Sequence, residues 1–191
     1  MQKYARSAYV ERPIADNGET PMKKTILVFG VISGLITIGS SILSHSLGFA
    51  EVWLGFLVMF IAFGAIFVAV RQYRDQVLGG TIRFGTALRI GFGISLVASL
   101  IYVAVWEVYL QFTGTAFIDT YVQSLVEAYK ADGMTGAQLD TAIAEAQAMK
   151  AQYANPLFRL PMTLLEIFPV GALISLIAAA VLKSSKVLPA T

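Results

Sequence analysis

The chain contains no cysteine, one histidine and few charged residues. Without cysteine it has no disulfide, no thiolate metal site and no cysteine nucleophile. A Ser-His-Asp triad would have to use the single histidine, His45, and no phosphate loop, HExxH, GxSxG or dinucleotide motif occurs. We therefore predict that the protein is not an enzyme and holds no metal or cofactor. The net charge of +2 does not favour nucleic acid as a partner.

Charged residues are scarce because four long segments contain almost none. They form 14% of the chain, whereas soluble domains carry about 25%. A helix rises about 1.5 Å per residue, so about 20 apolar residues span the hydrocarbon core of a bilayer. The predicted spans cover about residues 25–44, 52–70, 88–108 and 160–182. The predicted fold class is all-α, a four-helix transmembrane bundle with the lipid bilayer as its surroundings.

The distribution of lysine and arginine predicts how this bundle is oriented. With four spans both termini share one side, and that side holds eleven of the fourteen basic residues. Basic residues collect in cytoplasmic loops, so we predict that both termini are cytoplasmic. Residues 1–21 are polar and lack periodicity, which is typical of a disordered arm preceding the membrane domain of residues 22–191.

The link between the third and fourth spans has a helical pattern of its own. Apolar residues recur there at spacings of three and four, Gly133 interrupts the pattern, and Asn155 and Pro156 end it. We predict a helical hairpin outside the membrane over about residues 115–154. Two interpretations stay open: a cap that packs on itself or on the helix ends, and a lid or partner-binding surface.

Small residues recur at four-residue spacing in three of the spans. They are Gly30 and Gly34 in the first span, Gly91 and Ser95 in the third, and Gly171 and Ser175 in the fourth. Lipid tails are as apolar as leucine, so close approach at small residues is what brings membrane helices together. Each stripe predicts a helix contact inside the bundle. The GxxxG of the first span is also compatible with a homodimer.

Five ionisable residues fall near the outer ends of the predicted spans: Glu166, Arg159, Glu107, His45 and Glu51. Glu166 lies about 9 Å into the fourth span. A carboxylate at that depth costs on the order of 2–3 kcal/mol, so we expect it to face the bundle and to pair with Arg159 or a hydroxyl. It would then either lock the bundle or form a polar pocket for a proton, a cation or a head group. Nothing in the spacing supports a metal site.

Two stretches resemble a known family. The first reads YRDQVLGGTIRFGTALRIG over residues 73–91 and leads to WEVY at 106–109; the second reads YANPLFR at 153–159 and leads to EIFPVG at 166–171. With the four-span layout, they resemble the bacterial domain-of-unknown-function family 4199 over roughly residues 22–183. The resemblance implies a bacterial inner-membrane protein with four helices, and it implies no activity.

The leading functional hypothesis is a non-enzymatic accessory or scaffold protein that binds a membrane partner or a second copy. Its basis is the lack of catalytic motifs together with the GxxxG and the amphipathic link. The alternative is a small transporter, or an ion- or proton-binding membrane protein, that uses Glu166. A lipid-modifying enzyme would need a second polar cluster within the spans, and the sequence provides none.

Overall fold

The computed structural model describes residues 19–46, 52–114 and 116–183. Within these ranges the chain forms six α-helices and no strand, so the prediction of an all-α fold is confirmed. Four helices are long: α1 (Glu19–Ser46), α2 (Val52–Gln76), α3 (Phe84–Thr113) and α6 (Pro156–Leu182). Two shorter helices, α4 (Ala116–Ala131) and α5 (Gly136–Tyr153), lie between α3 and α6.

The four long helices are apolar on nearly every face. Each contains a segment long and apolar enough to cross a membrane, as predicted. Large apolar side chains such as Leu35, Ile61 and Leu165 are exposed, which a water-soluble helix avoids by keeping its outer face polar. The four helices are also longer than the predicted spans. In particular, α1 begins at Glu19, so the last residues of the predicted arm are helical.

The start of α6 is set by local chemistry. Asn155 is the N-cap, and its side-chain oxygen accepts a 3.0 Å hydrogen bond from the backbone N–H of Leu157. Pro156 follows in the first helical position, where a missing N–H is harmless because that group has no partner in the helix. The helix is then continuous through Pro161 and Pro169.

The four apolar helices pack against one another around a shared core. The most extensive contacts are those of α3 with α1 and α6, and α2 packs against the same two helices. Fully buried members of the core come from every long helix: Ile38, Phe63, Ile66, Ile90, Ile94, Ile167 and Leu182.

The small residues lie where these helices approach most closely. A methyl group added at Gly34 of α1 would lie 2.8 Å from the carbonyl oxygen of Ala98 in α3. One added at Gly91 of α3 would lie 2.7 Å from Cβ of Ser175 in α6. Only a hydrogen atom fits at these points. Gly30 likewise faces α3, and Gly171 faces Ser95.

The buried hydroxyls in these interfaces find partners inside the protein. Ser95 donates to the carbonyl of Gly91 at 2.9 Å, and its oxygen lies 3.2 Å from that of Ser175 across the interface. Ser33 of α1 donates to the carbonyl of Ala62 in α2 at 3.0 Å. Since unsatisfied polar groups are costly in lipid, these bonds allow the helices to pack through serine as well as glycine.

The shorter helices α4 and α5 pack against each other. Ile118 and Val122 of α4 are buried together with Ala146 of α5, and these positions belong to the apolar stripes seen in the sequence. An exposed ion pair of Lys150 with Asp119, 2.5 Å apart, also joins the two helices. The stripes are therefore used within the α4–α5 pair.

Candidate functional site

Glu107 of α3 and Arg159 of α6 form a two-point ion pair. Nε of Arg159 donates to Oε1 of Glu107 at 2.7 Å, and Nη2 donates to Oε2 at 2.6 Å. The side chains are only 22% and 11% exposed, respectively. The third guanidinium nitrogen, Nη1, donates to the carbonyl oxygen of Tyr153 at 3.0 Å. Arg159 thereby ties α3, α5 and α6 together in fork geometry, the strongest arrangement for such a pair.

Aromatic side chains surround this ion pair and complete a joint between α5 and the long helices. Trp106 donates from Nε1 to the Tyr153 hydroxyl at 2.8 Å, and its ring meets the edge of Phe117 at 4.8 Å between centroids. The Arg159 guanidinium lies 5.5 Å from the centre of the Tyr153 ring. Burial raises the pKa of Tyr153, so its hydroxyl is neutral at physiological pH and accepts the tryptophan bond. We call Trp106, Glu107, Phe117, Tyr153 and Arg159 the aromatic joint.

Glu166 is exposed, contrary to the expectation that it faces the interior. The rotation of α6 is set by its buried side, where Thr163, Ile167 and Gly171 recur at four-residue spacing. Glu166 precedes Ile167 by one residue, or about 100° around the helix, so its side chain falls outside the buried stripe. The small and apolar residues of α6 determine which side of the helix is buried, and Glu166 lies outside that side as a result.

The register of α3 against α6 places Glu166 deep within the apolar belt. Gly91 meets Ser175, Ser95 meets Gly171, and Glu107 binds Arg159, so the helices are antiparallel and Glu166 lies level with Leu100. Leu100 is 54% exposed. Glu166 is thus about 10 Å below the level of the Glu107–Arg159 pair and about 16 Å from that of Arg89.

The surroundings of Glu166 are apolar. Met162, Leu165 and Leu173 of α6 are all exposed on the same side of the helix. None of the residues that the structure describes forms a hydrogen bond or an ion pair with Glu166. Its expected partner, Arg159, is held by Glu107 instead, because Glu107 lies level with it on the neighbouring helix.

The predicted polar pocket is not assembled by the described residues. Glu107 and Arg159 come together, Glu166 lies apart from them, and both Glu51 and the side chain of His45 fall outside the described part of the structure. Within that part, no three His, Cys, Asp or Glu side chains are grouped as a metal site requires. Open grooves of about 520 and 440 Å³ occur on α5 and between α4 and α5, and Glu166 lines neither.

One notable polar residue was assigned to the wrong environment. Arg74 follows the second predicted span, residues 52–70, and so counted among the basic residues of a loop, yet its side chain is fully buried near the end of α2. Its Nε donates to Oδ1 of Asp75 at 2.6 Å, and Arg71 lies 3.5 Å from the same carboxylate. One feature of the sequence indicated that this arginine could be buried: an acid follows it directly at the end of an apolar run. No pattern in the sequence indicates the Trp106–Tyr153 hydrogen bond, because 47 residues separate its partners.

Comparison with known proteins gives a match at the level of a family. A family model described as "Protein of unknown function (DUF4199)" matches residues 27–184. No curated protein and no solved structure matches the chain. The match covers α1 from residue 27 onward and all of α2 to α6, so the elements that carry the aromatic joint and Glu166 fall inside it.

Proposed function

This chain belongs to the family of proteins of unknown function DUF4199, and we propose that it is a non-enzymatic accessory protein of the bacterial inner membrane that binds a membrane partner. In this proposal α1, α2, α3 and α6 form a transmembrane bundle with both termini in the cytoplasm. The α4–α5 pair forms a hairpin on the outer side, and the aromatic joint fixes it to the bundle.

The distribution of charge along the packed helices supports the proposed placement in the membrane. Contacts between Ile26 and Gly93 and between Phe63 and Gly171 bring Lys24, Arg71 and Arg89 to similar levels. The level of Arg89 is about 27 Å from that of Glu107, close to the roughly 30 Å of a hydrocarbon core. Because basic residues favour the cytoplasmic side, the end of the bundle that carries Lys24, Arg71 and Arg89 is assigned to the cytoplasm.

The observation that best supports the accessory role is where the charged residues of α3 and α6 lie. Glu107 and Arg159 are used to join helices, and Glu166 is exposed on the outer side of α6. The two grooves on α5 and between α4 and α5 are open, and the described residues include no group of three His, Cys, Asp or Glu side chains, whereas a substrate or an ion in transit requires polar groups that converge on an enclosed cavity. An outward polar group within an apolar belt favours contact with another membrane molecule.

Site-specific photo-crosslinking in living cells tests this role. A photoreactive amino acid is introduced one at a time at Glu145 on α5, Ile61 on α2 and Leu165 on α6, which are all exposed, and at the buried Phe63 as control. The proposal predicts a discrete protein adduct from at least one exposed position, reproduced when the crosslinker is placed in the captured protein. Adducts with lipid alone at every exposed position would refute it.

A second candidate function is proton or cation handling by Glu166. It is favoured by the depth of the carboxylate, which lies about 10 Å below the level of the Glu107–Arg159 pair. In proteoliposomes this candidate requires wild-type flux above that of protein-free vesicles and loss of that flux in Glu166→Gln. Equal flux in wild type, Glu166→Gln and empty vesicles removes the candidate and leaves the accessory role unaffected.

A further inference from the structure

We propose that the outward face of α6 around Glu166 binds a single transmembrane helix of another protein, and that this helix presents a lysine or arginine to Glu166 inside the membrane. The inference rests on the proposed accessory function and specifies both its docking surface and the chemistry of the partner. The residues of this surface, which we call the Glu166 face, are Met162, Glu166, Pro169, Leu173 and Leu176.

The Glu166 face has the pattern of a helix–helix seam. Its five members are all exposed, and they recur at spacings of four, three, four and three residues. Such alternating spacing keeps residues on one side of a helix over several turns, as in the seams of coiled helices. All members except Glu166 are apolar, so the carboxylate is the one group on this face that distinguishes a partner from lipid.

Glu166 lies too deep in the apolar belt for its side chain to reach water at the interface. It lies about 10 Å below the level of the Glu107–Arg159 pair by helical rise. Long lysine and arginine side chains near helix ends reach the interface, and glutamate is shorter. An acid held at such depth on a lipid-facing surface is stabilised by a cationic partner at the same depth, which is how charged residues in membranes are usually accommodated.

The described part of this chain cannot supply that cation, either within one molecule or from a second copy. Arg159 is held by Glu107, and the side chain of Arg89 originates about 16 Å away along the helix axis. A second copy in the same orientation carries its described basic residues at these same levels. Two copies meeting at the Glu166 face would place like charges together. None of the basic residues that the structure describes reaches the level of Glu166, so the complementary group is assigned to a different chain.

Synthetic transmembrane peptides test the chemistry directly. The probe is a leucine-rich helix with one lysine about 10 Å below its outer interfacial end, and the matched peptide has leucine at that position. Full-length protein carrying a donor dye is reconstituted in phosphatidylcholine vesicles, and association with acceptor-labelled peptide is followed by energy transfer. We expect about tenfold tighter association of the lysine peptide, in line with interhelical polar contacts in membranes.

Variants of Glu166 separate the specific contact from general helix association. Glu166→Gln should abolish most of the preference for the lysine peptide, and Glu166→Lys should transfer the preference to a glutamate peptide. Glu145→Gln removes an exposed acid of α5 and should change nothing. Equal association of the lysine and leucine peptides with wild type, or a preference that survives Glu166→Gln, would overturn the inference.

Three results show which proposal has failed. Cellular adducts confined to Glu145 or Ile61, combined with equal binding of the peptides, would overturn the docking surface and retain the accessory function. Self-association that Glu166→Gln abolishes, without any preference between peptides, would assign the Glu166 face to a second copy and also overturn the inference. Lipid-only adducts at every exposed position would refute the accessory function, whatever the peptides do.

Discussion

Arg159 and Glu107 provide a residue-scale test against a second ion pair in the same molecule. The Glu107–Arg159 pair is largely buried, whereas the side chains of Lys150 and Asp119 are 40% and 45% exposed. Breaking a buried pair leaves an uncompensated charge, so we expect Glu107→Gln to lower the free energy of unfolding by about 2–3 kcal/mol. Asp119→Asn should lower it by under about 1 kcal/mol.

Unfolding in detergent, followed by helical circular dichroism, measures both changes. A double-mutant cycle with Arg159→Gln isolates the pairwise term and should show strong coupling for Glu107 only. Similar losses for Glu107→Gln and Asp119→Asn would mean that the buried pair does not hold the joint.

At this scale the sequence identified the ionisable residues near the ends of the spans, but the predicted pairing of Arg159 with Glu166 was wrong. Arg159 and Glu166 lie on one side of α6, about 10 Å apart along its axis, which suggested a contact. Glu107 is level with Arg159 on α3, and that neighbour depends on the register between two helices. Register is decided by side chains packing across the interface, such as Gly91 against Ser175, and periodicity within one helix does not contain it.

At the scale of the helices, two glycines of α1 allow a matched comparison. A methyl group at Gly34 would lie 2.8 Å from the carbonyl oxygen of Ala98, whereas one at Gly39 would have nothing within 4 Å. Both alanine substitutions gain helix propensity equally, by about 1 kcal/mol. We therefore expect Gly34→Ala to be less stable than Gly39→Ala by about 1–3 kcal/mol, because backbone at the contact must shift.

Thermal unfolding of the two variants in the same detergent gives this difference directly. If Gly34→Ala is as stable as Gly39→Ala, the close approach of α1 and α3 described here does not occur.

The helices themselves were predictable, and their rotations only partly so. Long uncharged runs predict four apolar helices because hydropathy alone sets that outcome. The small-residue stripes were also visible in the sequence, and the structure places them between helices. The predicted rotation of α6 was wrong because it assumed that Glu166 must face the interior. The many small and apolar residues of the buried stripe contribute more to the packing than a single acid, and they determine which side of α6 is buried. Arg74 shows the opposite case, a charge that the fold buries beside Asp75.

For the molecule as a whole, the absence of cysteine makes the proposed orientation easy to measure. Single-cysteine variants Gln138→Cys on α5 and Leu78→Cys after α2 lie on opposite sides of the membrane in the proposed arrangement. A membrane-impermeant maleimide should label Gln138→Cys in intact inner-membrane spheroplasts and Leu78→Cys only after permeabilisation. The reverse pattern would invert the topology, and labelling of both in intact spheroplasts would contradict α3 as a span, because α3 alone separates the two positions among the long helices.

The number and order of the helices can be predicted from the sequence, because a bilayer sets the length and apolar character of each span. Span length, charge bias and the independent pattern of residues 115–154 are local properties, and they predict four long helices with two shorter ones between α3 and α6. The aromatic joint is a non-local property, since Trp106, Phe117 and Tyr153 come from three helices. Partner binding is more remote still, because it depends on which surface remains exposed after the chain has packed.

The central claim is that Glu166 lies on a lipid-facing surface at membrane depth, and a spin label at the adjacent Leu165 tests it most directly. Leu165 is 70% exposed. In a Leu165→Cys variant reconstituted in bilayers, power-saturation spectroscopy compares collisions with oxygen, which enriches in lipid, and with a water-soluble nickel chelate. We predict high oxygen and low nickel accessibility, at a depth of about 10 Å from the outer interface. High nickel accessibility would place this face in water and contradict the account.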